Sequence, residues 1–189
     1  TDTDTDTDTD TDTDTDTDGG DAPGDPEEVV LLAASDLGED WVADPTLEGV
    51  VTRPVVPFLC DEPSPEPPTR VEGAAYRAGD ARVTHSVRTY PGDGAAALMA
   101  GLDEQFQCMA ALPGSVDVTW EAVALGDEAQ IVTYTRRQPD GELEHVVGLV
   151  RRGDTVAQIA HIDTQISDDR LVAQFLELAD GKLAEQTAG

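Results

Sequence analysis

Apolar and polar residues alternate along six stretches of this chain, and apolar residues recur every three to four positions along three others, which separates strands from helices. Residues 71–78 and 81–90 flank Gly79-Asp80 and read as a hairpin, with Val83, His85, Val87 and Thr89 on one face of its second arm. After Gly92-Asp93-Gly94, residues 95–112 place Leu98, Leu102, Phe106 and Met109 at helical spacing, and Pro113-Gly114 stops them. Four more strands are predicted at 116–124, 129–137, 143–151 and 155–163, separated by Gly126-Asp127, Pro139-Asp140-Gly141 and Gly153-Asp154. Such short, turn-forming breaks join antiparallel neighbours into a meander. Ser167 or Asp168 then caps a last helix whose apolar stripe includes Leu171, Val172, Phe175, Leu176, Ala179 and Leu183. A first helix is expected to open at Pro26-Glu27-Glu28, to carry Val29 to Leu32 on its apolar side, and to stop near Gly38.

Two segments break the pattern. Nine Thr-Asp dipeptides begin the chain; they have no apolar residue to offset chain entropy by burial, so residues 1–26 read as a disordered stalk and linker. Seven prolines fall between 45 and 68, which forbids a long helix or a central strand there and predicts an extended connection containing Cys60. What remains, 27–189, suits one domain. The fold class is therefore α+β: a twisted antiparallel sheet of about five or six strands, with helices packed mainly on one face and the other face open to a cleft.

Charge narrows the partners. The formal net charge is −29; eleven of the forty acidic residues lie in 1–26, so the domain keeps 29 acids against 11 bases, a net of −18. With one lysine, Lys182, and scattered arginines, nothing provides the clustered cations that a nucleic-acid backbone or an anionic membrane surface requires. No run of 18 apolar residues occurs, so membrane attachment is expected only through an upstream signal or anchor segment. The absence of asparagine excludes N-linked glycosylation. Exactly two cysteines point to an extracytoplasmic chain with one disulfide, Cys60 to Cys108, closing a loop of about 48 residues worth roughly 4 kcal/mol.

Catalytic signatures are missing: there is no Gly-x-Ser-x-Gly elbow, no phosphate loop and no His-Glu-x-x-His, so the chain is read as non-enzymatic and without a cofactor. His85, His145 and His161 fall on three strands at spacings that do not pair them, and no metal site is assigned. His161 and Asp163, two residues apart on a strand, form the best local polar pair and are candidate ligand contacts. Trp120 and Tyr134, on neighbouring strands, are candidates for a cleft floor beneath Arg82, Arg88 and Arg136, with Arg88 taken as the anion contact. Arg152-Gly153-Asp154 spells an adhesion tripeptide but is explained by turn chemistry at a hairpin tip.

The ordered string of local features resembles the PknH-like extracellular sensor domain family of actinobacterial lipoproteins and receptor kinases. The matching residues are Leu31 to Leu37 followed by Trp41, Phe58-Leu59-Cys60 after a proline-broken stretch, Ala74-Ala75-Tyr76-Arg77, and the helix reaching Gln107-Cys108. Leu125 to Ala129 and the Val150-Arg151-Arg152-Gly153-Asp154 hairpin follow before the last helix, so the likeness runs from about Glu27 to Glu185. The resemblance implies an extracytoplasmic, non-enzymatic ligand-binding or sensor domain with a central antiparallel sheet. Its partner would be a small molecule or a cell-envelope component bound in a cleft. The kinase-linked members carry two disulfides where this chain can form only one, which favours the lipoprotein branch. The alternative is a structural or protein-interaction domain at the cell surface.

Overall fold

The computed structural model describes residue 29 and residues 31–51, 66–112, 115–138, 141–163 and 169–187. The stalk expected over 1–26 lies outside these, as do residues 52–65 of the proline-broken stretch with Cys60; the start of that stretch is not extended but coils into a tight turn at Pro45–Leu47 and a helical turn at Glu48–Val51. Seven strands form one sheet: β1 (Val42–Ala43), β2 (Arg70–Ala78), β3 (Ala81–Thr89), β4 (Ser115–Ala122), β5 (Glu128–Gln138), β6 (Gly141–Arg152) and β7 (Thr155–Asp163). Helices α1 (Ala34–Leu37) and α2 (Glu48–Val51) are single turns; α3 (Gly94–Ala111) and α4 (Asp169–Thr187) are long. The strand order is β1-β2-β3-β7-β6-β5-β4, and every neighbouring pair is antiparallel. Strands β4 to β7 make the expected meander, and its last strand returns to lie beside β3 at the centre of the sheet. The seventh strand is the two-residue edge strand β1, too short to give an alternation signal.

The expectation that the helices share one face is corrected. Alternation along β6 sends Val146 and Val150 to one side and Val147 and Leu149 to the other, and all four are buried. On the first side Val146 and Val150 pack with Val172, Phe175 and Leu176 of α4; on the second, Val147 and Leu149 pack with Leu98, Leu102 and Phe106 of α3. The two long helices therefore clasp opposite faces. Each fully buried Phe or Leu in these layers contributes about 1.5–3 kcal/mol. Helix α4 sits close: a Cβ built on Gly148 would lie 3.0 Å from Leu176 Cδ2 and 3.1 Å from Val172 Cγ1.

The first helix is also corrected. Among the described residues of this segment Ala34–Leu37 is helical, whereas Leu31 to Ala33 are not, and Ala33 is extended. Two buried side chains take the backbone polar groups that a helix would use internally: the Leu32 N–H donates to His85 Nδ1 at 3.1 Å, and the Tyr76 hydroxyl donates to the Leu32 carbonyl. With those groups satisfied, Leu32 itself is buried in the core. Asp36 then accepts the Ala33 N–H at 2.8 Å and lies 3.5 Å from Lys182, which joins the short turn to α4. Trp41 meets Phe175 edge to face, with ring centroids 5.5 Å apart.

Candidate functional site

The register brings four polar side chains into one cross-strand row at an end of the sheet. Arg70 pairs with Thr89, Thr89 with Thr155, and Thr155 with Arg152, so the row runs across β2, β3, β7 and β6 on the α4 face. Three strand spacings separate the two arginine backbones, roughly 14 Å, and two threonines lie between them. This row, the last turn of α4 and Val29 enclose a cleft of about 310 Å³. Leu183 and Val29 give it an apolar side, while Gln186, Thr187 and Asp154 add polar groups.

Both arginines are braced from behind. Arg152 donates Nε to Asp180 Oδ1 at 2.6 Å and Nη2 to Asp180 Oδ2 at 2.9 Å, and this hydrogen-bonded carboxylate raises the guanidinium pKa. Asp180 is nearly buried on α4 and also accepts the Gly126 N–H at 3.3 Å. Arg70 donates Nε to Glu72 Oε1 at 2.7 Å. Arg152 belongs to the tripeptide at the hairpin tip, and two hydrogen bonds fix it to Asp180.

A second cleft, of about 400 Å³, lies between α3 and the β4–β5 turn, with Met99, Asp103, Asp127, Glu128 and Gln130 among its lining residues. Its carboxylates are engaged within the fold. Asp103 accepts from Trp120 Nε1 at 3.0 Å, and Arg151 donates to Asp127 at 3.1 Å and to Glu128 at 3.2 Å.

The residues singled out from sequence are placed on two faces and do not form one cluster. His161 is buried on the α4 face, one row from His85; Asp163 shares that face by register, and its side chain is outside the described residues. His145 points to the opposite face, stacked on Tyr134 with centroids 4.8 Å apart and planes 8° apart, so the three histidines do not converge. Trp120 lies on that α3 face, packed against Phe106 at 5.6 Å. Arg88 is on the α3 face as well, buried, donating to Ser86 Oγ at 2.7 Å and Gln158 Oε1 at 3.3 Å; burial lowers its pKa. Its row pairs with Val156, Arg151 and Glu128, three rows from that of Tyr134 and His145. Arg82 is largely exposed, 3.8 Å from Asp44. Cys108 lies half-buried on α3. Among the described residues no group of three His, Cys, Asp or Glu side chains is arranged to hold a metal, and no helix is long and apolar enough to cross a membrane.

The cleft row has no local signature in the sequence, because its members come from four separate strand ends. The legible signal was weak: a threonine or arginine beside each turn, with no local spacing to join them.

Fold and cleft together define an α+β domain built on one antiparallel sheet between two helices. The crystal structure of the extracellular domain of PknH from Mycobacterium tuberculosis has this architecture: it superposes with a TM-score of 0.51 over 80% of this chain and 93% of that one, at 13% sequence identity. At that identity the likeness is one of fold. A second solved structure, that of PA94 from Pseudomonas aeruginosa, overlaps 62% of this chain at a TM-score of 0.35 and 16% identity, too distant to carry an argument. No protein-family model matches the chain, and no curated protein matches it.

Proposed function

We propose that this protein is an extracytoplasmic, non-enzymatic sensor module of a cell-surface lipoprotein, and that it binds a small molecule or cell-envelope component in the cleft between the Arg70–Arg152 row and the end of α4. The observation that carries this reading is the shared fold with the extracellular domain of PknH over most of both chains. Two further features support it. The acidic domain offers no cationic surface for nucleic acid, and its polar, partly apolar cleft has a volume at the small-ligand end of the usual range. Exposed large hydrophobics among the described residues are Val42, Val50 and Leu178, scattered singly, which gives a protein-docking role less support.

Binding to the folded state alone raises thermal stability by mass action. A thermal-shift screen of the full chain against metabolites and fractionated cell-envelope extract is expected to yield a saturable rise in Tm. Gln186→Trp, which places an indole at the cleft, is expected to abolish it. A screen without any shift, or shifts that survive Gln186→Trp unchanged, would contradict the proposal.

A further inference from the structure

We infer that the cleft takes a small zwitterion carrying a carboxylate and an ammonium group, the chemistry of an amino acid or dipeptide. This rests on the ligand-binding reading of the same cleft and adds the class of ligand.

The argument starts from the row. Paired residues on antiparallel strands share a face, so Arg70 and Arg152 stand at the two ends of one line with the Thr89 and Thr155 side chains between them. Arg70 is held to Glu72 through Nε and Nη2 and lends positive charge from one end of the row, while Arg152 supplies the directed donor at the other. The fork to Asp180 occupies Nε and Nη2 of Arg152 and leaves both hydrogens of Nη1 for another acceptor. Because Asp180 is fixed within α4 and holds the Gly126 N–H too, that guanidinium is oriented before any ligand arrives, and little side-chain entropy remains to be lost. A planar carboxylate is the group that these oriented Nη1 hydrogens and the neighbouring Thr89 hydroxyl match, the Thr155 hydroxyl being given to Asp154.

The opposite wall has the opposite preference. The last turn of α4 closes the cleft with Leu183, Gln186 and Thr187; the Thr187 hydroxyl lies 3.2 Å from the Leu183 and Ala184 carbonyls, and the negative end of the helix dipole favours positive charge. Asp154 adds a carboxylate at the rim, of which Oδ1 accepts the Thr155 hydroxyl at 2.9 Å. A simple anion would meet repulsion on this side; an ammonium group would be welcomed. Between the two poles, Val29 and Leu183 present apolar surface suited to a short aliphatic side chain, and a volume of about 310 Å³ accommodates a ligand of dipeptide size.

The test uses the full chain and alanine and alanylalanine in both hands, with their amides and N-acetyl derivatives as matched controls lacking one charge, and inorganic phosphate as a simple anion. Calorimetric titration is expected to show saturable binding of at least one zwitterion, weakened roughly tenfold or more by either amidation or acetylation. Arg70→Gln, which removes one positive charge from the row and a partly exposed ion pair with Glu72, is expected to weaken it similarly, beyond any change in the Tm of the free protein. Equal binding of the zwitterion and both controls, or binding of phosphate alone, would overturn the zwitterion assignment. So would uncharged metabolites that bind and are blocked by Gln186→Trp while no zwitterion does; that outcome leaves the ligand-binding reading standing. Silence from every probe, charged or neutral, overturns both.

Discussion

His85 shows how much one side chain can govern. It is buried at 1% exposure in the α4-side core, where its Nδ1 accepts the Leu32 N–H, and Nε2 has no hydrogen-bond partner among the described residues. Burial lowers its pKa from 6.5 to about 4. The unfolded chain therefore takes up a proton near pH 6.5 that the folded state refuses until about pH 4, and stability falls as pH drops through that window. At pH 4.5 the loss from this one group is about 2–3 kcal/mol. Protonation would also convert Nδ1 from acceptor to donor and release the Leu32 N–H. Urea midpoints at pH 7 and 4.5 for wild type and His85→Gln check this: the variant should lose less stability on acidification by about that amount, and parallel losses would refute it. Tyr76→Phe, which orphans the Leu32 carbonyl, is expected to cost about 1–3 kcal/mol at pH 7 in the same assay. Alternation in the sequence placed His85 on a face with Val83 and Val87 but did not say that a segment more than 50 residues away would cover that face.

At the scale of elements, local chemistry and tertiary demand part company. The strands from 70 to 163 were legible because Gly79, Gly126 and Gly153 adopt positive φ at the turns that separate them, and the turn residues announce themselves. Pro26-Glu27-Glu28 and the apolar run after it satisfy helix rules locally, whereas the Leu32 N–H and carbonyl are taken by His85 and Tyr76 and Leu32 is not helical. The two-sided cover was legible in principle: Val146-Val147 and Ile131-Val132 are consecutive apolar pairs, and such runs mark strands buried on both faces. Gly148 tests this packing. Gly148→Val should destabilise by about 1–3 kcal/mol in urea unfolding by forcing α4 off the sheet. Gly101→Ala, in the interior of α3 with nothing within 4 Å of the new Cβ, should stabilise by about 0.5–1 kcal/mol. Equal signs for the two would contradict this packing. The bridge from Cys60 to Cys108 on α3 is proposed on the same scale. Mass spectrometry without reductant should find no free thiol, and reduction should lower stability by roughly 4 kcal/mol or less. Two free thiols in the oxidised preparation would exclude it.

On the scale of the whole molecule, an acidic domain places two braced arginines at the end of its sheet, opposite a helix C-terminus and an aspartate. Cleft candidates read from sequence, namely His161, Asp163, Arg88, Trp120 and Tyr134, were chosen for chemistry that is visible locally. The fold distributes them over two faces and gives the cleft to residues at strand ends, whose proximity is created only by the strand order. The fold is shared with the extracellular domain of PknH, and the proposed binding of a small ligand is most open to direct measurement through its location on this chain. That measurement is a backbone and threonine-methyl NMR titration of the full chain with a ligand found by the thermal-shift screen. Saturable perturbations are expected to concentrate at Thr69, Thr89, Thr155, Gln186 and Thr187, with the α3 side of the sheet unmoved; perturbations confined to the Asp103 cleft, or none at saturating ligand, would contradict binding in the Arg70–Arg152 cleft.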